Sequence, residues 1–255
     1  MTRRVVLIGI GPGDPGQVTI EAIRAMNDVD FFVVTEKRRP GGDPLAAARA
    51  ALLARHLIGD PKLVVVEDAE RDRTVAGTAT AAGYERAVTD WHAARAARYA
   101  AVLAEHDGDA GFLVWGDPAL YDSTIRVLAR VVDVVDATLA VVPGVSSLSA
   151  LAARHRIVPH GIGEPLHITT GRRLPAAIAE GQSNIAVLLS RSLDELRAVE
   201  PAGWLIWWGA NLGAPSERLA AGPLADTLRV IETARTAAKQ EAGWVLDIYL
   251  LRRER

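Results

Sequence analysis

The sequence predicts an α/β protein built from two α/β domains, the first around a mainly parallel sheet. Three observations carry this. Short apolar runs rich in β-branched residues alternate with stretches of helical period as far as Val142. Gly- and Pro-rich turns punctuate the joins between them. The texture then changes, and a loop rich in Gly and Pro from Ile157 to Pro165 sets a boundary near residue 160, giving domains 1–160 and 161–255. A chain of 255 residues is long enough for two small cores or one large one.

Val5 to Ile8 is a continuous apolar run, as expected of a parallel strand buried on both faces. The turn Gly9-Ile10-Gly11-Pro12-Gly13-Asp14-Pro15-Gly16 cannot continue it. Thr19 caps a helix to about Asn27, with Ile20, Ile23 and Met26 as its inner face. Phe31 to Thr35 is the next strand, Leu45 to Leu57 a helix and Leu63 to Glu67 a strand. Tyr84 to Glu105 reads as a long alanine-rich helix. Gly111 to Trp115 is a strand, Ser123 to Val135 a helix and Leu139 to Val142 a strand. Strands alternating with helices imply right-handed crossovers. Beyond them come a small-residue helix from Ser146 to Arg154 and strands at Leu166 to Thr170, Ile185 to Leu189 and Trp204 to Trp208. A helix from Leu224 to Ala238 and a strand from Trp244 to Leu251 complete the pattern.

Composition removes several function classes. A hydrophobic fraction of 49% and a charged fraction of 24% indicate a globular core rather than disorder. A net charge of -2 supplies no strong positive field, so nucleic acid is not an expected partner. With no cysteine there is no disulfide, iron–sulfur cluster or cysteine nucleophile. None of the six histidines falls in a zinc-protease spacing, and no metal is expected. No apolar run approaches the ~18 residues a membrane helix needs. Val5 to Ile10 is too short for a signal-peptide core, so a cytoplasmic location is expected.

The strand feeding Gly9-x-Gly11-x-Gly13 invites a dinucleotide reading. The third fingerprint glycine would fall at Asp14, whose charge opposes a pyrophosphate, and Pro12 removes one amide donor. A nicotinamide-dependent oxidoreductase is therefore the disfavoured alternative. Two more turns follow strands of the first domain, Trp115-Gly116-Asp117-Pro118-Ala119-Leu120-Tyr121-Asp122-Ser123 and Val142-Pro143-Gly144-Val145-Ser146-Ser147. In an open parallel sheet, ligands sit outside the carboxyl ends of the strands. Three such turns point to a ligand that approaches backbone closely.

Taken together, Gly9 to Asp14, Gly116-Asp117-Pro118 and Pro143 to Ser146 resemble the signature loops of the tetrapyrrole (class III) methyltransferases. Trp207 to Asn211, Glu217-Arg218 and Gly222-Pro223-Leu224 resemble that family's adenine-side loop, with Pro223 where Thr is usual. Longer stretches, Trp91 to Arg95, Leu113 to Thr124, Ala152 to Ile157, Ile168 to Leu174 and Trp244 to Arg253, resemble one cobalamin-pathway branch of the family. The resemblance implies two α/β domains with an active-site cleft between them, usually in a homodimer. It implies S-adenosyl-L-methionine as cofactor, S-adenosyl-L-homocysteine as product and a tetrapyrrole substrate. Carried over by position, the cofactor shell is Pro12, Gly116, Asp117, Leu120, Ser146, Ser147, Leu188 or Leu189, Ala210 and Leu224. In the branch that the longer stretches resemble, methylation at carbon is coupled to loss of an acyl group as acetate; another cobalamin-pathway methyltransferase of the same family is the alternative.

The residues add a chemical reading. Loss of an acyl group calls for a water and a general base. Asp14, Tyr121 and Asp122 are the candidate catalytic groups, while Asp117 suits an Asx turn before its proline. Substrate carboxylates need cations, and Lys37, Arg38, Arg172 and Arg173 follow strands where a cleft would open.

Overall fold

The computed structural model describes residues 2–36, 43–68 and 81–254. The chain divides into two compact units, Met1–Ile10 with Val18–Gly144, and Gly11–Gln17 with Val145–Arg255. The second unit takes up at Val145, ahead of the break expected near residue 160. The cause is local. The helix Ser147–His155 packs on strands of the second sheet, where His155 Nε2 lies 3.0 Å from the Trp208 carbonyl oxygen.

In the first unit the elements are β1 (Arg3–Gly9), α1 (Ile20–Asp28), β2 (Phe31–Glu36), α2 (Pro44–His56), β3 (Leu63–Glu67), α3 (Ala81–Glu105), β4 (Ala110–Val114), α4 (Thr124–Val132) and β5 (Ala137–Val142). The sheet order is β3-β2-β4-β1-β5, with every pairing parallel. Alternate residues of β1 serve two cores, which explains its unbroken apolar run. Val5 and Leu7 pack with Tyr99, Leu103, Val127 and Leu128 from α3 and α4. Val6 and Ile8 pack with Met26, Leu52 and Leu53 from α1 and α2. Thr19 Oγ1 accepts from Ala22 N at 3.0 Å and starts α1 as expected, but the buried pair is Ala22 and Met26. Ile20 is 70% exposed, because the first residue after the cap points away from the sheet. Helix α4 ends at Val132, short of the expected Val135.

The second unit contains α5 (Ser147–His155), β6 (His167–Thr170), α6 (Leu174–Ala179), β7 (Asn184–Leu188), α7 (Asp194–Arg197), β8 (Trp204–Ala210), β9 (Arg218–Pro223), α8 (Leu224–Ala242) and β10 (Asp247–Arg253). Its sheet is mixed, in the order β6-β7-β10-β8-β9. Strand β6 is parallel to β7, and β10 runs antiparallel between β7 and β8. Trp204, Ile206 and Trp208 of β8 join Ile185, Val187, Tyr249 and Leu251 in one core, closed by Leu224 and Ile231 of α8. Strand β9 was not expected. Arg-Leu-Ala-Ala-Gly-Pro has no β-branched residue, and antiparallel pairing with β8 holds it instead. The last strand starts at Asp247 rather than Trp244, because α8 extends to Ala242 before Gly243 caps it in the left-handed region at φ 75°.

Candidate active site

The three signature loops begin at the carboxyl ends of β4, β1 and β5, which are neighbours in the first sheet. Asp117 ties two of them together. Its Oδ1 accepts from Ala119 N at 2.8 Å, closing an Asx turn, and its Oδ2 accepts from Gly144 N at 3.0 Å. A Cβ on Gly144 would overlap the Gly116 carbonyl oxygen and lie 2.8 Å from the Gly9 carbonyl carbon. A Cβ on Gly9 would lie 2.6 Å from Gly144 N and 2.9 Å from Pro118 Cδ. These two glycines therefore let the loops pack on one another. Leu120 N donates to the Asp117 carbonyl at 3.2 Å, and Tyr121, next in the chain, is 42% exposed with φ 55°. Asp122 Oδ1 accepts from Thr124 N at 2.6 Å and satisfies the amino end of α4, where Ser123 provides no side-chain cap.

In the second unit, the loop carrying Pro12 and Asp14 is anchored at several points. Asp14 Oδ1 accepts from Gly16 N at 2.8 Å and its carbonyl from Gln17 N at 2.9 Å, forming a 3-10 turn over Pro15–Gln17. Asp14 Oδ2 also lies 4.0 Å from an Arg154 nitrogen. Arg154 Nε reaches both Glu217 oxygens at 3.0 Å, and Glu217 Oε2 accepts from Gly213 N at 2.5 Å. This chain of charges joins the 11–17 loop and α5 to the segment after β8. Asn211, 1% exposed with φ 50°, fixes that segment. Its amide donates to Ser216 Oγ at 2.9 Å and the Trp244 carbonyl at 3.3 Å, and its Oδ1 accepts from Leu246 N at 2.9 Å.

The remaining candidates fall as follows. Ser146 is the N-cap of α5, its Oγ accepting from Ser149 N at 3.2 Å, and Ser147 opens the helix. Ala210 ends β8 and Leu224 opens α8, both within the core. Leu188 is buried at the end of β7. The next residue, Leu189, is 60% exposed with φ 57°. A left-handed leucine costs about 1–2 kcal/mol, and such strain clusters at ligand sites. Arg172 and Arg173 are exposed on the 3-10 turn after β6. Lys37 and Arg38 lie outside the described residues. Gly116 and Asp117 are brought together with Gly9 and Gly144. Pro12 shares a loop with Asp14, and that loop packs on Leu212 and Gly213, just beyond Ala210. The sequence assigns no role to Arg49, and it names Arg95 and Trp115 only within stretches that resemble the family. They line a cavity in the first unit, and the one readable cue is the helical spacing of Arg95 and Tyr99.

The chain thus has a parallel sheet whose loops interlock through Asp117 and a second, mixed sheet. The chain belongs to the tetrapyrrole (corrin/porphyrin) methylases, whose family model matches residues 4–228. It is 39% identical over 257 residues to precorrin-6A synthase [deacetylating] of Sinorhizobium sp, covering 98% of this chain and 95% of that one. A solved structure of a cobalamin synthesis related protein (CobF) from Corynebacterium diphtheriae superposes with TM-score 0.81 and 31% identity over 100% of both chains. The uroporphyrin-III C-methyl transferase of Thermus thermophilus, solved with S-adenosyl homocysteine, shares the fold at TM-score 0.57 and 19% identity, covering 98% of this chain and 97% of that one.

Proposed function

We propose that this chain is a precorrin-6A synthase (deacetylating). It methylates precorrin-5 at C1 and releases acetate, giving precorrin-6A. The observation that carries the reading is the 39% identity, sustained across 98% of the chain, to an enzyme of that name.

The loops fit S-adenosyl-L-methionine better than a dinucleotide. The Asp117 carboxylate stands among them with both oxygens held by backbone amides, a poor neighbour for a pyrophosphate. Pro12, Gly116, Asp117, Leu120, Ser146, Ser147, Leu189, Ala210 and Leu224 are the residues that would hold the cofactor. Of the pair at the end of β7, Leu189 is the better contact, because Leu188 is buried. When bound, the cofactor supplies an electrophilic methyl group. The interlocked loops hold reactants in line, and alignment of this kind is worth about 7–11 kcal/mol. For the deacetylation, Tyr121 is exposed on its loop, while Asp14 is engaged in its own turn and in the Arg154 network. Asp122 keeps one oxygen beyond its bond to Thr124 N, which leaves it the better placed carboxylate base. Arg172 and Arg173 are the described cations offered to substrate carboxylates. We further assign the working form as a cytoplasmic homodimer, which light scattering would read as twice the chain mass.

Titration of S-adenosyl-L-homocysteine, NADH and NADPH tests the cofactor assignment. Micromolar binding of S-adenosyl-L-homocysteine alone is expected, and NADPH binding in its place overturns the assignment. Conversion of precorrin-5 to a product of precorrin-6A mass tests the reaction.

A further inference from the structure

Strands β2 and β4 pair only at Phe31 with Ala110 and Phe32 with Gly111. Beyond those residues β2 continues with β3, and β4 continues with β1. The two strands therefore separate toward their carboxyl ends. The connection after β2 leads to β3 at one edge of the sheet, and that after β4 leads to β5 at the other. A crevice where successive connections diverge is the favoured ligand position in an open parallel sheet. Here it holds a cavity of about 150 Å3, lined by Thr35, Arg49, Arg95, Tyr99, Trp115 and Asp122 among others.

The donors in this cavity are unevenly satisfied. Arg95 lies 3.4 Å from Asp68, stacks 4.8 Å from the Trp91 ring centroid and donates to Tyr99 Oη at 2.6 Å. Tyr99 Oη in turn lies 2.7 Å from Thr35 Oγ1. Arg49 is different. Its guanidinium sits 5.8 Å from the Trp115 ring centroid, yet its Nε has no hydrogen-bond partner among the described residues, and neither does Trp115 Nε1. No ion pair of Arg49 is present among the described residues. Burial pushes the guanidinium below its ordinary value, and the more distant Asp43, Tyr99 and Asp122 pull it back only in part. Arginine does not shed its proton in proteins, so the unmet demand is for an anion. Two N–H donors on one wall suit a planar carboxylate, which arginine recognises through paired bonds. The cavity admits a carboxymethyl group with ordered water and is too small for a macrocycle.

We propose that this cavity is a carboxylate subsite, with Arg49 and Trp115 Nε1 as its donors, for an acetate-sized group. The idea rests on the proposed function for its two sources. One is an acetate side chain of the tetrapyrrole, the other the acetate set free by deacetylation. Asp122 on the same wall accepts from Thr124 N through Oδ1 and draws on Arg49 only at longer range, since no ion pair joins the two among the described residues.

The test is titration of sodium acetate into the full chain, followed by calorimetry and by the Arg49 Nε–H resonance. Saturable binding with a downfield shift of that resonance is expected, with no response to sodium chloride at equal ionic strength. Arg49→Met should weaken binding at least tenfold, about 1.4 kcal/mol, with Arg49→Lys in between. Repeating the titration with precorrin-5 bound separates the sources. Loss of acetate binding assigns the pocket to a substrate side chain, and retained binding assigns it to the released product. The proposal is overturned if acetate fails to bind, if it leaves the Arg49 resonance unmoved, or if a folded Arg49→Met binds it as tightly as the parent. Acetate binding without turnover of precorrin-5 would refute the function and leave the subsite standing.

Discussion

Gly144→Ala is the substitution that most sharply probes the loop cluster. The added methyl has nowhere to go, because the atoms it meets are the Gly116 carbonyl oxygen and the backbone of Gly9. Overpacking costs about 1–3 kcal/mol when side chains can rotate away, and backbone cannot, so the upper end applies. Displacing the loop also breaks the bond from Gly144 N to Asp117, worth about 1 kcal/mol more. A loss near 4 kcal/mol corresponds to a fall of about 8–16 °C in the thermal midpoint for a chain of this size. Gly16→Ala is the control. There the new methyl would approach only Asp14 Oδ1, at 3.2 Å. Differential scanning calorimetry reads the stability, and S-adenosyl-L-homocysteine titration reads the site. Affinity should fall together with the midpoint for Gly144→Ala and remain for Gly16→Ala. A Gly144→Ala protein that melts with the parent refutes the interlock.

Arg235 Nε donates to Asp247 Oδ2 at 2.8 Å, and the Asp247 side chain is 1% exposed. Arg235→Met should cost about 3–5 kcal/mol near neutral pH by stranding a buried carboxylate. Burial already raises the Asp247 pKa against the opposing pull of Arg235. A carboxyl whose folded value is raised contributes stability at low pH that is lost as pH rises through that value. The deficit of the variant should therefore be larger at pH 8 than at pH 5 in urea unfolding, and a constant gap would contradict this. Asn211→Ala leaves the Leu246 amide and Ser216 without their partner and places alanine at φ 50°. A loss of about 2–4 kcal/mol is expected from the urea midpoint. Glu217→Ala frees Arg154 and Gly213 together, so it should weaken S-adenosyl-L-homocysteine binding while the first unit's resonances stay in place.

Legibility in the sequence followed burial on two faces. Strand β1 announced itself because Val5 to Ile8 alternates between two cores, so every residue must be apolar. The loops were legible because Gly, Pro and Asp at fixed offsets leave few backbone choices. Strand β9 was not, since Arg218 to Pro223 owes its conformation to pairing with β8 rather than to its own residues. The glycines were legible as special, but not that Gly9 and Gly144 make room for neighbouring loops, because nothing local says what a missing Cβ makes room for. Arg49 was invisible for a related reason. Among the alanines of α2 nothing local marks it, and its place in the cavity depends on β2 and β4, which are distant in sequence. Asp14 is a related case, since the sequence shows its carboxylate but not that Gly16 N and Arg154 lie against it.

The central claim concerns coupled chemistry, and one stoichiometry addresses it. Purified protein is incubated with methyl-labelled S-adenosyl-L-methionine and precorrin-5, and both label transfer and free acetate are counted. The account predicts one acetate released for each methyl group gained. Methyl transfer with no acetate would contradict it and move the chain to another reaction within the same family.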